Sequence, residues 1–219
     1  MHHVELKMSS IKTIVFQGDS ITDAGRAANQ PCNENLGTGY VHDIAGCLLS
    51  AHPEREFKIY NTGTACNKIV DLYARWKVDA LNLNPDLISI MIGINDIWHE
   101  FDFCNGVECD RYEFIYRELL KWSRNKFPCI QFILIDPFIL SNSNLPKGMA
   151  TEVASRRIVV KKLAREFHAL HLDTQELFDA ACSTAPTNHW SYDGVHPTIA
   201  GHRLLANAWL ELFKKITVV

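Results

Sequence analysis

The stretch Ile14-Val15-Phe16-Gln17-Gly18-Asp19-Ser20 passes from apolar side chains to a polar loop. A short apolar run of this kind predicts a buried β-strand, here over Thr13–Phe16, covered on both faces. Gly18 permits a sharp exit from that strand. Ser20 then stands beyond the carboxyl end of the strand, where open parallel sheets bind their ligands.

Further apolar runs repeat this pattern along the chain and predict four more strands, over Phe57–Tyr60, Leu87–Ile92, Ile130–Ile135 and Ala169–Asp173. Between the strands, apolar residues recur at helical spacing, as in Val41/Ile44/Ala45/Leu48, Ile69/Leu72/Tyr73/Trp76, Tyr112/Ile115/Tyr116/Leu119, Val160/Leu163/Ala164/Phe167 and Leu205/Ala208/Trp209/Leu212. Alternating strands and helices predict an α/β fold: a three-layer αβα sandwich around a five-stranded parallel sheet with right-handed crossovers.

Length and composition agree with one domain over residues 1–219, with 1–10 as a flexible N-terminal segment and 141–146 as a surface loop. A formal net charge of −3 gives no electrostatic footprint for nucleic acid. No apolar run approaches the length that a membrane span needs. The first ten residues lack the apolar core of a secretory signal, and the seven cysteines form no Cys-x-x-Cys pair. We therefore expect reduced thiols and a cytoplasmic protein.

Two more polar blocks carry residues suited to catalysis. Gly93-Ile94-Asn95-Asp96 directly follows a predicted strand, so the Asn95 amide can aim an N–H group at a developing oxyanion. Asp193-Gly194-Val195-His196 lies near the end of the chain. A serine, a histidine and an aspartate are the nucleophile, base and orienting group of an acyl-transfer site.

Each block also has a purely structural interpretation. Gly18-Asp19-Ser20 and Asp193-Gly194 are common in turns, and Gly93-x-Asn95-Asp96 is typical of a turn followed by a helix cap. The catalytic interpretation is favoured because the blocks occur together, in order, and two of them follow strands. For Asp19 and Asp96 we favour structural roles, with carboxylates that accept backbone N–H bonds and hold the loops.

The chain resembles the SGNH/GDSL hydrolases in these three blocks. Longer stretches resemble the acetylxylan-esterase branch of that family, namely Gly18–Arg26, Leu36–Val41, Pro85–Trp98 and Val195–His202. The resemblance runs from about Ile14 to Leu212. It implies the flavodoxin-like fold of that family and an esterase that uses neither a metal nor another cofactor.

The resemblance also implies a role for each residue of the site. Ser20 is the expected nucleophile, His196 the general base, and Asp193 the group that orients His196. The expected oxyanion hole consists of the Ser20 backbone N–H, the Asn95 side-chain amide and a third backbone N–H. In the family, this third donor belongs to the second glycine of an Asn-x-Gly-x-x-Gly block.

This chain departs from the family at that third donor. The block reads Asn61-Thr62-Gly63-Thr64-Ala65-Cys66, so Cys66 stands where the glycine is expected. The backbone N–H survives, but a positive φ at cysteine costs about 1–2 kcal/mol. The Cys66 side chain would also crowd a small acyl pocket. The alternative is that Gly63 has moved into the role, which would require a shift of the loop.

Substrate class is less defined by the sequence. Trp98 and Trp190 flank the blocks and are candidates to line the site and stack on a sugar ring, although core packing explains them equally well. The expected partner is a small acylated substrate such as an acetylated xylo-oligosaccharide; oligomeric state stays open. Two alternatives remain: an esterase or lysophospholipase for longer acyl chains, and a non-catalytic binding descendant of the fold.

Overall fold

The computed structural model describes residues 11–28, 30–141 and 145–216. Segment 1–10, predicted to be flexible, and the centre of the predicted 141–146 surface loop lie outside the described residues. The strands are β1 (Thr13–Gly18), β2 (Lys58–Asn61), β3 (Leu87–Met91), β4 (Gln131–Ile135) and β5 (Leu170–Leu172). The helices are α1 (Ser20–Asp23), α2 (Tyr40–Ala51), α3 (Ile69–Asp79), α4 (Ile94–Phe103), α5 (Cys109–Lys126), α6 (Met149–Glu166), α7 (Thr174–Cys182), α8 (Thr187–Trp190) and α9 (Ile199–Ile216).

All neighbouring strands pair in parallel, in the order β2-β1-β3-β4-β5. In the register, Ile14 pairs with Leu87 on one side and with Ile59 on the other. The predicted α/β fold with a five-stranded parallel sheet is confirmed. In such sheets, the crevice where strand order reverses is the usual ligand site, and here it lies between β1 and β3. The loops that follow these two strands carry Ser20 and Asn95.

Helices cover both faces of the sheet because successive strand residues point to opposite sides. One face buries Ile14 and Phe16 against α2 and α9, and Phe16 lies 5.2 Å, centroid to centroid, from Trp209. The other face buries Val15, together with β3 and β4 residues, against α3, α5 and α6. The two apolar layers fix the sheet and therefore the loops at its carboxyl edge.

Local differences from the predicted elements have simple causes. The strand predicted over Phe57–Tyr60 begins and ends one residue later, at Lys58–Asn61, because the polar Asn61 still pairs with Phe16 of β1. The strand predicted over Ala169–Asp173 is one residue shorter at each end, at Leu170–Leu172, and Asp173 instead caps α7. Tyr73 was expected on the buried face of α3 but is 49% exposed. Its ring lies 6.0 Å from that of Trp122, at the rim between α3 and α5 rather than in the core.

Candidate active site

Ser20 is positioned by the close packing of the turn that precedes it. A Cβ atom at Gly18 would lie 2.4 Å from the carbonyl oxygen of Met91 and 2.3 Å from Thr22 Oγ1. Gly18 is therefore needed for the close approach of β1 to β3 and to the α1 turn, and not for a positive φ. The first residue of α1 is Ser20 itself.

Asp19 caps this short helix. Its Oδ1 accepts a hydrogen bond from the Ile21 N–H at 3.1 Å, as expected for a structural carboxylate. Burial raises the pKa of Asp19 to about 7, outweighing the hydrogen bond from Ile21 and the attraction of His196. The structure thus gives Asp19 the loop-holding role that the sequence predicts.

The three residues of the predicted triad lie together. Ser20 Oγ is 2.9 Å from His196 Nε2, and His196 Nδ1 is 2.7 Å from Asp193 Oδ2. The other oxygen of Asp193 accepts hydrogen bonds from the backbone N–H groups of Val195 and His196. Burial would raise the pKa of Asp193, but these hydrogen bonds outweigh it and lower the pKa, so the carboxylate stays charged.

The 191–197 loop, which carries His196, is held largely by bonds within itself. Ser191 Oγ donates to the His196 carbonyl oxygen and accepts from the Gly194 N–H. The Tyr192 N–H also donates to the His196 carbonyl oxygen, at 2.9 Å. A link to the rest of the chain runs from the Leu140 N–H to the Gly194 carbonyl oxygen. Sequence-local contacts thus fix the imidazole and its carboxylate together.

Asn95 lies in the first turn of α4, which begins after Gly93 at φ +130°. Its Nδ2 donates to the Asn67 carbonyl oxygen at 3.1 Å, which leaves the second N–H of the amide for another acceptor. The neighbouring Asp96 is buried and accepts from the Ile69 N–H, as predicted. Burial also raises the pKa of Asp96 to about 7.

Cys66 is exposed and has a φ of +65°, in the left-handed region that favours glycine. Within residues 62–67, the other backbone N–H groups all have acceptors: Thr62 on Phe16 O, Gly63 on Asn61 Oδ1, Thr64 on Gly18 O, Ala65 on Asp23 Oδ2 and Asn67 on Thr64 O. Within the described part of the chain, the Cys66 N–H has no acceptor. It is therefore available to a bound atom.

Comparisons with known proteins show the family of this chain. The model of the GDSL-like Lipase/Acylhydrolase family matches residues 16–204. The chain belongs to this family. It is accordingly a carboxylic ester hydrolase.

Relatives of this GDSL hydrolase include esterases. An acetylxylan esterase from Geobacillus stearothermophilus is 38% identical over 216 residues, covering 94% of this chain and 95% of the relative. A catalytic mutant of an acetylxylan esterase from that organism superposes with a TM-score of 0.84 at 36% identity, covering 92% and 94% of the two chains. A protein from Parabacteroides merdae assigned as a GDSL-like lipase has a TM-score of 0.89 at 39% identity, covering 93% and 96%.

Two tryptophans were predicted to line the site of this GDSL hydrolase. Trp98 donates its indole N–H to Asp102 Oδ2 at 2.7 Å, and Trp190 donates to the Ala185 carbonyl oxygen at 3.3 Å. Both indoles are partly buried and pack against the apolar layer that includes α2 and α9. Their structural contacts are therefore defined, and a role in substrate binding stays a prediction.

Sequence reasoning missed two arginines that contact the 62–67 loop. Arg26 donates to the Gly63 carbonyl oxygen and to Thr64 Oγ1, and Arg75 donates to the Thr62 carbonyl oxygen. The signal was indirect, because Arg26 ends the Gly18–Arg26 stretch and Arg75 lies on the helix that follows the Asn61–Cys66 block. Arginine on a helix, as at Arg75, is otherwise typical of a solvated surface.

The described residues contain no cluster of three or more histidine, cysteine, aspartate or glutamate side chains arranged to hold a metal ion. All seven cysteines are unpaired. No helix in the described ranges is long and apolar enough to cross a membrane.

Proposed function

We propose that this GDSL hydrolase is a serine esterase that removes short acyl groups, in the first place acetyl, from carbohydrate esters through an acyl-enzyme on Ser20. The observation that carries the proposal is the continuous chain of contacts from Ser20 Oγ to His196 Nε2 and from His196 Nδ1 to Asp193 Oδ2, at 2.9 and 2.7 Å. This order of hydroxyl, imidazole and carboxylate is the arrangement that activates a serine.

The first half of the reaction follows from this arrangement. With the Nδ1 proton of His196 bonded to the Asp193 carboxylate, Nε2 is free to take the Ser20 proton as Oγ attacks the ester carbonyl. Asp193 keeps the ring in this tautomer and stabilises the imidazolium that forms. The protonated His196 then gives its proton to the departing alkoxide, which leaves the acyl group on Ser20.

The negative oxygen of the tetrahedral intermediate needs hydrogen-bond donors. We assign three: the Ser20 backbone N–H, the second N–H of the Asn95 amide and the unpartnered N–H of Cys66. In the second half of the reaction, water takes the place of the Ser20 hydroxyl, with His196 again acting as base. Acetate and the free enzyme result.

The substrate class rests on the relatives and on two tryptophans that flank the catalytic blocks in the sequence. Similarity to an acetylxylan esterase along 94% of the chain supports an acetylated, xylan-derived oligosaccharide as the partner. Trp98 and Trp190 are the candidates for contact with a sugar ring.

A screen for acid release tests the proposal. Acetylated xylo-oligosaccharides and aryl esters of two to eight acyl carbons are incubated with the wild type, with Ser20→Ala, and with Ser50→Ala as the matched control. Ser50 is an exposed serine of α2 that donates to the Gly46 carbonyl oxygen. We expect preference for acetyl, an inactive Ser20→Ala and an unchanged Ser50→Ala.

Each alternative predicts a different result. Rates that rise with acyl length would favour an esterase for longer chains. Turnover retained in Ser20→Ala would remove the assignment of the nucleophile. Lack of turnover, combined with no labelling of Ser20 by a fluorophosphonate, would favour the non-catalytic alternative.

A further inference from the structure

Arg75 lies on α3 with its side chain only 19% exposed, and its guanidinium faces the loops of the site. Nε donates to Asn67 Oδ1 at 2.7 Å, and Nη1 donates to the Thr62 carbonyl oxygen at 2.7 Å. Nη2 lies 3.4 Å from the carbonyl oxygen of Gly18, to which it donates. Nη1 also forms an ion pair with Asp79 on the next turn of the helix.

These acceptors lie next to two of the three assigned oxyanion donors, those of Ser20 and Cys66. Gly18 lies two residues before Ser20. Thr62 and Asn67 are the two ends of the loop that carries Cys66. The carbonyl oxygen of Asn67 in turn accepts from the Asn95 amide at 3.1 Å. One guanidinium therefore bonds the end of β1 and the loop after β2 directly, and reaches Asn95 through Asn67.

The chemistry of this contact requires arginine. Its planar guanidinium presents five N–H donors in a fixed fork, whereas a lysine ammonium is a compact point charge on a flexible stem. Only the guanidinium can reach Gly18, Thr62 and Asn67 at once.

The backbone conformation at Cys66 gives a reason why the 62–67 loop must be held firmly. A non-glycine residue at φ +65° persists only where the surrounding structure over-determines it. Arg75 bonds both ends of the 62–67 loop, and Arg26 bonds its middle at Gly63 and Thr64.

We propose that Arg75 is a positioning residue of the reaction: it fixes the 62–67 loop against Gly18 and, through Asn67, against Asn95, so that the donors of Ser20, Cys66 and Asn95 converge on one oxyanion. This rests on the proposed function, because it assumes that those three groups are the donors. Arg75 does not touch the reacting atoms. Because the oxyanion forms only as the ester is attacked, loss of Arg75 disturbs the transition state more than the bound ester.

A structural ion pair of the same kind elsewhere in the protein supplies the control. Arg117 on α5 is 21% exposed and pairs with Glu113 on the same helix and with Glu166 at the end of α6. Its partners are carboxylates and not loop carbonyl oxygens. If Arg75 serves only its pair with Asp79, Arg75→Met and Arg117→Met will behave alike.

The test compares Arg75→Met, Arg75→Lys and Arg117→Met with the wild type by kcat and KM on an aryl acetate and by urea unfolding. A displaced donor set costs about tenfold to hundredfold in rate, so kcat of Arg75→Met is expected to fall by that factor. KM should stay within about twofold, because the ground-state ester depends less on the oxyanion donors. Arg75→Lys should recover part of kcat, and Arg117→Met should keep the wild-type kcat.

An unchanged kcat in folded Arg75→Met would overturn the proposal, as would a loss confined to KM or an equal loss in Arg117→Met. If Arg75→Met does not fold, Asn67→Ala decides, because it removes one acceptor and keeps the guanidinium. A kcat reduced about threefold or more supports the proposal, and a wild-type kcat contradicts it. Ser20→Ala is assayed in parallel: if it remains active, the proposed function itself has failed, whatever Arg75→Met does.

Discussion

The two halves of the site are built in opposite ways. The 191–197 loop places His196 and Asp193 by bonds among neighbours in the chain, such as those of Ser191 Oγ to Gly194 and His196. The 62–67 loop is held largely by residues far away in sequence, such as Arg26 and Asn95, and by Arg75 on the helix that follows it. The acid–base half is therefore a local motif, whereas the proposed oxyanion half depends on the assembled fold.

The largest expected effect tests the local half. His196→Ala should reduce kcat about 10⁶-fold and Asp193→Ala about 10⁴-fold, because members of such a unit act together. Steady-state kinetics on an aryl acetate measure both. His189→Ala is the control, since His189 is an exposed histidine on the adjacent helix α8. A His196→Ala enzyme that keeps more than about one per cent of the rate would contradict the role of His196 as general base.

The next prediction addresses the assembled half. Asn95→Ala removes one assigned donor and also the bond to the Asn67 carbonyl oxygen. The loss of a single oxyanion donor costs about 10²–10³ in kcat, so a partial loss with KM nearly unchanged is expected. Circular dichroism and urea unfolding check that the variant is folded. A fall in kcat as large as that of His196→Ala would mean that Asn95 also supports the acid–base half of the site.

A third prediction concerns α9, the helix that follows the 191–197 loop, and its contact with α2. His202 on α9 accepts a hydrogen bond from the Tyr40 N–H of α2 at 3.2 Å. Burial lowers the pKa of His202 to about 4 from an ordinary 6.5. Between these two values the unfolded chain takes up a proton and the folded chain does not, so stability falls as the pH drops from about 6.5 to 4.

The measurement compares urea unfolding of the wild type and His202→Asn from pH 7 to pH 4.5. The wild type should lose about 2 kcal/mol more than the variant over this range. Asp19 and Asp96, with raised pKa values, act in the opposite direction but contribute equally to both proteins. Parallel curves for the two proteins would refute the role of His202.

The smallest expected effect concerns Cys66. Glycine relieves a positive φ by about 1–2 kcal/mol but loses about 0.5–1 kcal/mol to the entropy of the unfolded chain, so Cys66→Gly should gain at most about 1.5 kcal/mol. Its kcat should be kept or raised by a factor of about three, since the N–H remains.

Cys104 provides a matched control for this substitution. It is an exposed cysteine with φ +50° at the end of α4. Cys104→Gly should give a similar change in stability with no change in kcat. A large loss of activity confined to Cys66→Gly would mean that the thiol side chain has a function of its own.

The contrast between the two halves also explains what could be predicted from the sequence. The sheet and the triad candidates were predictable, because apolar runs and the Asp193-x-x-His196 spacing are local signals. Arg75 was not, since its proposed role comes from contacts with the end of β1 and with the loop after β2, which only the fold brings together. The exposure of Tyr73 was missed because helical spacing alone does not show where the rim of the core lies. The tryptophans as substrate contacts and the cytoplasmic location stay predictions.

About half of the His196 and Asp193 side chains faces solvent, with 45% and 43% exposed. On the proposed mechanism, an acetylated Ser20 would thus sit beside an imidazole that water reaches without the opening of a gate. A dissolved alcohol arrives by the same route and can be deprotonated by the same nitrogen. The acetyl group should therefore be shared between acceptors according to their concentrations and nucleophilicities. In alcohol–water mixtures, the enzyme would make new esters as well as cleave old ones.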